Sequence, residues 1–151
     1  MFVPLLFAAS LLAVAPSDGG TTRRAVLDVV TRTSTTTSCD RATLRKAVRD
    51  ATIVPIGRLG SDLIVTAEVR DPCMCGIANC PEYVIRSGAH PRALLQESGL
   101  EIKALRVRAA ALPNIVTTAK DSAAVYVETT YAFRGGSYVR IRSANVRADT
   151  R

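Results

Sequence analysis

The spacing of hydrophobic and polar positions changes three times along this 151-residue chain. Residues 1–15 carry no charged side chain and form an apolar run, Phe2-Val-Pro-Leu-Leu-Phe-Ala-Ala-Ser-Leu-Leu-Ala-Val-Ala15. That run is too short to cross a bilayer as a mature helix but has the length of a secretory signal core. Ala13-Val-Ala15 or Ala15-Pro-Ser17 supplies the small-residue cleavage pattern, so residues 1–17 are expected to be a signal peptide. Residues 18–38 read as a flexible polar segment. Within it, residues 25–30 suit a short strand or a helical turn, and the hydroxyl-rich stretch 31–38 has nothing apolar to bury.

From Asp40 the period becomes helical. Leu44, Ala47, Val48 and Ala51 fall on one face, with Ser38 or Asp40 available as the cap, which predicts a helix over 40–51 that Pro55 and Gly57 end. Arg41, Arg45 and Arg49 run along the opposite side, where a solvated face is the expectation.

Beyond Gly57 the period is two. Strands are predicted at 63–69 and 82–86, a strand or helical turn at 92–97, and strands at 100–107 and 114–118. The alternation slips at Ala104-Leu105 as a bulge would make it. Residues 125–133 and 138–142 then form a hairpin around Gly135-Gly136. A two-residue loop would oppose Phe133 to Tyr138 and Tyr131 to Arg140, mixing charge into an apolar face. A three-residue loop opposes Phe133 to Val139 and Tyr131 to Ile141, and this is the expected register. It places Arg134, Tyr138, Arg140 and Arg142 outward as a possible binding face.

The expected fold is therefore α+β: an N-terminal amphipathic helix packed on a disulfide-stabilised, mainly antiparallel meander. It forms a single domain over 39–147, with a tail at 148–151. Composition narrows the function classes. The absence of Trp and only 5% aromatic residues argue against an aromatic-lined platform for sugars or nucleobases. The net charge of +7, with 17 of the 20 basic residues being Arg, permits contact with a polyanion through the Arg face without making nucleic acid the expected partner.

Export changes the meaning of Cys39, Cys73, Cys75 and Cys80. An even number in an oxidising compartment favours disulfides over thiol chemistry. Cys73 and Cys75 are too close to close on each other, which leaves Cys75–Cys80 with Cys39–Cys73, the preferred pairing, or Cys73–Cys80 with Cys39–Cys75. Zinc is not expected, because the cysteines lack paired C-x-x-C spacing and the single histidine, His90, is followed by Pro91. His90 also has no nucleophile elbow near it, and nothing marks out a catalytic carboxylate pair, so neither an enzyme nor a cofactor is expected.

Cys75-Gly-Ile-Ala-Asn-Cys80 and Tyr131-Ala-Phe-Arg-Gly-Gly-Ser-Tyr138 carry a resemblance. With Asp62-Leu-Ile-Val and Leu112-Pro-Asn-Ile-Val, they make residues 56–142 similar to small, uncharacterised exported proteobacterial proteins that have a Cys-Gly-x-x-x-Cys motif and a Tyr-x-Phe-x-Gly-x-x-Tyr-type hairpin. The resemblance implies a disulfide-stabilised antiparallel sheet and an envelope location, not an activity. The loop 59–62 also resembles degenerate calcium-binding FG-GAP-like segments, but only Asp62 offers a carboxylate there, too few oxygens for a hard cation. The function expected from all this is an exported, non-catalytic binding or structural module whose partner is an envelope component or another protein. The alternative is a small secreted enzyme or thiol-redox factor using the Cys73/Cys75/Cys80 group or His90.

Overall fold

A computed structural model describes residues 19–34, 39–107 and 110–147. The expected signal peptide and the tail at 148–151 lie outside these residues. Two helices, α1 (Gly19–Thr33) and α2 (Arg41–Asp50), precede eight strands. The strands are β1 (Thr52–Leu59), β2 (Asp62–Glu68), β3 (Cys80–Arg86), β4 (Arg92–Gly99), β5 (Glu101–Leu105), β6 (Asn114–Lys120), β7 (Val125–Arg134) and β8 (Ser137–Arg147). They form two four-stranded antiparallel sheets, β1-β2-β3-β4 and β5-β6-β7-β8, in each of which sequence neighbours pair. The expected single meander is thus two, divided at Leu100, the one residue between β4 and β5.

Alternation along the strands gives the first sheet two apolar faces. Val65, Ala67, Tyr83 and Ile85 share one buried cluster with Val26, Val29 and Val30 of α1 and Leu44, Ala47 and Val48 of α2. Ile64, Val84, Leu94 and Leu95 face the other way and cluster with Ile102, Ile115, Tyr131 and Tyr138 of the second sheet. The layers therefore run helices, first sheet, second sheet, and the first sheet is the middle layer.

The helix that the pattern places over 40–51 spans Arg41–Asp50, with Asp40 as its N-cap accepting the Thr43 N–H at 2.7 Å. It is the second helix rather than an N-terminal one. Residues 19–33, expected to lie in a flexible polar segment, form α1. Ala25, Val26, Val29 and Val30 recur at helical spacing and are buried, and packing of that stripe outweighs the weak helix propensity of valine. Arg23 of α1 also donates from Nη1 to Val48 O (2.9 Å) and Arg49 O (2.8 Å), so one helix caps the carbonyl end of the other.

Strand β1 is the element the pattern misses, because Pro55 and Gly57 read as terminators. It is an edge strand with a bulge between those two residues, the setting where a residue without an N–H costs no ladder bond. The bulge expected at Ala104-Leu105 is absent: β5 pairs with β6 without a shift from Glu101 to Leu105 and then ends. A shift between Val84 and Ile85 instead turns both Leu94 and Leu95 into the inter-sheet core.

The hairpin takes the register that was not expected. Gly135 and Gly136 have φ of 58° and 90°, the signature of a two-residue I′ turn, whose twist matches that of paired strands. Phe133 therefore opposes Tyr138 and Tyr131 opposes Arg140. An irregularity between Thr130 and Tyr131 leaves Ile141 unpaired, so that Arg142 falls opposite Thr130 and Ser143 opposite the buried Thr129, while Arg140, opposite Tyr131, stays exposed.

Candidate functional site

The cysteine loop follows from the turn at Asp71. Pro72 ends β2's line; the Met74 and Cys75 N–H groups both return to Asp71 O at 2.9 Å, and the Asp71 side chain accepts from the Cys73 N–H. This turn delivers Cys73 to Cys39 and Cys75 to Cys80, closing disulfides over 34 and 5 positions. The preferred pairing is the one present, and no cysteine among the described residues is free. Within the smaller ring the Gly76 N–H donates to Asn79 O at 2.8 Å. Asn79 also reaches the second sheet, where its amide exchanges two hydrogen bonds with the backbone of Lys120. Held at both ends, the loop projects Ile77 fully into solvent. Beside it lies an open groove of about 610 Å³ between the loop and the β6–β7 turn, with Lys120 and Asp121 among its walls.

A second constellation was not singled out by the sequence. Glu68, Glu82 and Glu97 stand directly opposite one another on β2, β3 and β4, forming one row across the face that looks toward the second sheet. The signal was present in the alternation, since Ile64, Thr66 and Glu68 share one strand face and Glu82 and Val84 share another. It was hidden because any chain of this size offers many carboxylate pairs. Glu68 is well satisfied: its Oε1 accepts the Ile102 N–H at 3.1 Å and its Oε2 accepts from Arg70 Nη2 at 2.9 Å. Arg70 also donates to Leu100 O. Glu82 is 1% exposed, and neither of its oxygens has a hydrogen-bond partner among the described residues. Burial, reinforced by the negative Glu68, pushes its carboxyl up to about 8.

Tyr131, across the seam, is pushed up to about 12 by burial and by the adjoining Glu97. Despite four glutamates in the neighbourhood, no group of His, Cys, Asp or Glu among the described residues is arranged to hold a metal ion.

The four residues expected on one outward hairpin face are split. Tyr138 is 6% exposed; its hydroxyl donates to Pro113 O at 3.0 Å and its ring meets Phe133 edge-on at 5.5 Å. Its inward position follows from the two-residue turn, and Val139 and Ile141 are exposed in its place. Arg134, Arg140 and Arg142 remain exposed, the last two along β8, an open edge of the second sheet. Arg41, Arg45 and Arg49 are exposed as expected of a solvated stripe. His90 is exposed between β3 and β4 with no bonded partner side chain among the described residues. Asp62 is engaged by Arg86, whose Nε donates to it at 2.6 Å.

No helix among the described residues is long and apolar enough to cross a membrane. No family model, curated protein or solved structure matches this chain.

Proposed function

We propose that the chain is an exported, non-catalytic binding module of the bacterial envelope, and that it engages a protein partner through the loop closed by Cys75 and Cys80. The observation that carries this reading is Ile77: a large apolar side chain held fully in water at the tip of a loop that a disulfide and the Asn79–Lys120 contact make rigid. Singly exposed apolar residues are common on mobile surfaces and mean little there. A pre-ordered tip loses little freedom when it enters a partner's pocket, so its burial contributes more fully to affinity. The flanking Lys120 and Asp121 supply one charge of each sign at the groove for orientation. The two disulfides and the apolar leader support the export half of the reading.

The alternative, a secreted enzyme or thiol-redox factor, has less to draw on. Cys73, Cys75 and Cys80 are all committed to disulfides, and His90 is exposed with no bonded partner side chain among the described residues.

Site-specific photo-crosslinking in the producing cell tests the proposal. A photoreactive residue at position 77 should give a discrete adduct that the same residue at position 45 does not. Purified wild-type protein should compete the adduct away, and Ile77→Asp should not. Equal adducts at both positions, or equal competition by both proteins, would overturn the reading.

A further inference from the structure

The seam between the two sheets is built around a carboxyl group that has no counterpart. Glu82 points from β3 toward the second sheet, and the space in front of it exists because residue 99 is glycine. A Cβ at that position would lie 2.5 Å from Glu82 Oε2 and 2.7 Å from Thr118 O of β6. Carboxylates from three other strands act on it: Glu68 from β2, Glu97 from β4 and Glu101 from β5. Arg70, the cation that acts on Glu82, is already shared between Glu68 and the Leu100 carbonyl, and Lys103 is paired with Glu101. An ionised Glu82 would therefore be a buried charge without a counter-ion or a hydrogen-bond donor, beside a second carboxylate that is itself fixed in place.

The same residues form the junction between the sheets. Glu68 holds the Ile102 N–H, Arg70 holds Leu100 O, and the Leu100 N–H donates to Thr118 O. The anchored groups of Leu100 and Ile102 lie within three residues of Gly99, where the chain leaves one sheet for the other.

We infer that Glu82 is a proton site coupled to closure of this seam: the closed sandwich holds one proton on Glu82, and the proton returns to solvent when the seam opens. A neutral carboxyl removes the repulsion with Glu68 and gains an O–H to donate to an oxygen in front of it. The linkage has a definite sign. The folded-state value lies above that of an exposed glutamate, so the contribution is fully present below about 4.5 and is lost as pH rises toward about 8. Tyr131 and Tyr138, both pushed up to about 12, titrate above this window, and Asp40 and Asp50, both lowered, titrate below it.

The test is urea unfolding of wild type and Glu82→Gln at intervals from pH 5 to pH 9. Wild type should lose midpoint from pH 5 up to about pH 8 and then level off, and Glu82→Gln, which cannot ionise, should be nearly flat throughout. The same slope in both would overturn the inference. Because the variant could fail to fold, the side-chain carboxyl carbon of Glu82 should also be titrated by NMR in the wild-type protein. It should be protonated at pH 7 and titrate near 8, whereas a titration in the ordinary carboxylate range would overturn the inference. The Ile102 amide, corrected for intrinsic base catalysis, should exchange faster as Glu82 ionises; an unchanged rate would remove the coupling to the seam.

Discussion

Asn79 and Lys120 hold each other as two ladder residues would: the Asn79 Nδ2 donates to Lys120 O at 3.1 Å and the Lys120 N–H donates to Asn79 Oδ1 at 2.9 Å. A side-chain amide thereby plays the part of a ninth strand at the end of β6, and ties the cysteine loop to the second sheet. Asn79→Ala removes both bonds at once and should cost about 1–2 kcal/mol. The Lys120 amide should exchange faster while amides in the centre of β6 keep their protection, which hydrogen-exchange mass spectrometry can resolve.

Cys39→Ser opens the longer of the two rings. Its loss should lower stability by roughly 2–4 kcal/mol in the chain-entropy picture, seen as a lower melting temperature that added reductant no longer depresses as strongly as in wild type. A melting curve equal to that of wild type would mean that Cys39–Cys73 does not restrain the unfolded chain.

Gly99→Ala should destabilise by about 1–3 kcal/mol. The new methyl would meet the backbone carbonyl of Thr118, which cannot swing aside, as well as the Glu82 carboxyl. Combining it with Glu82→Ala should recover only the part of the loss that comes from the carboxyl, and a double-mutant cycle in denaturant measures that part.

Arg23→Met keeps the aliphatic stem and deletes the guanidinium that caps α2. An expected cost of about 1–2 kcal/mol should appear with faster amide exchange at Ala51, whose N–H bonds Val48 O beside the cap. Unchanged stability would show that solvent satisfies those carbonyls equally well.

The double variant Arg140→Ser/Arg142→Ser should leave stability within about 0.5 kcal/mol, because both side chains are exposed on an edge strand. Binding to heparin at two salt concentrations separates a polyanion contact from edge protection. Wild-type affinity that falls steeply with salt and is lost in the double variant would establish the contact; weak binding equal in both proteins would leave the arginines as guards against strand-to-strand association.

Most strands could be read from alternation, because β2, β3, β4, β6 and β7 bury residues along their length and a period of two leaves little choice. β1 could not: its cues, Pro55 and Gly57, mark terminators in a central strand and are tolerated at an edge, and nothing local says which a strand will be. α1 was obscured for a related reason. Val26, Val29 and Val30 have the spacing of a helix but the branching of a strand, and the surface they pack against is supplied by later residues, Leu44, Ala47 and Val48 of α2 and Val65, Tyr83 and Ile85 of the first sheet. The hairpin register turned on the bulge at Ile141, which lets the Gly135-Gly136 turn set the pairing while placing Ser143 rather than Arg142 opposite the buried Thr129. The cysteine pairing was legible because ring size excludes one option and favours a local closure. Glu82 was not, since its character arises from three strands placing Glu68 and Glu97 on either side of it, a fact of register rather than of composition.

The division of the strands into two meanders has a consequence for how the molecule is made. Every strand pairs with its neighbour in sequence, so each half can assemble from local hairpins, a topology that favours fast formation. Both disulfides close by Cys80, and every strand of the first sheet is complete by Gly99. A chain emerging from its N-terminal end could thus oxidise and fold its first half before the second arrives. The last thing to form would be the contact between the halves, over a face that is already in place to serve as its template.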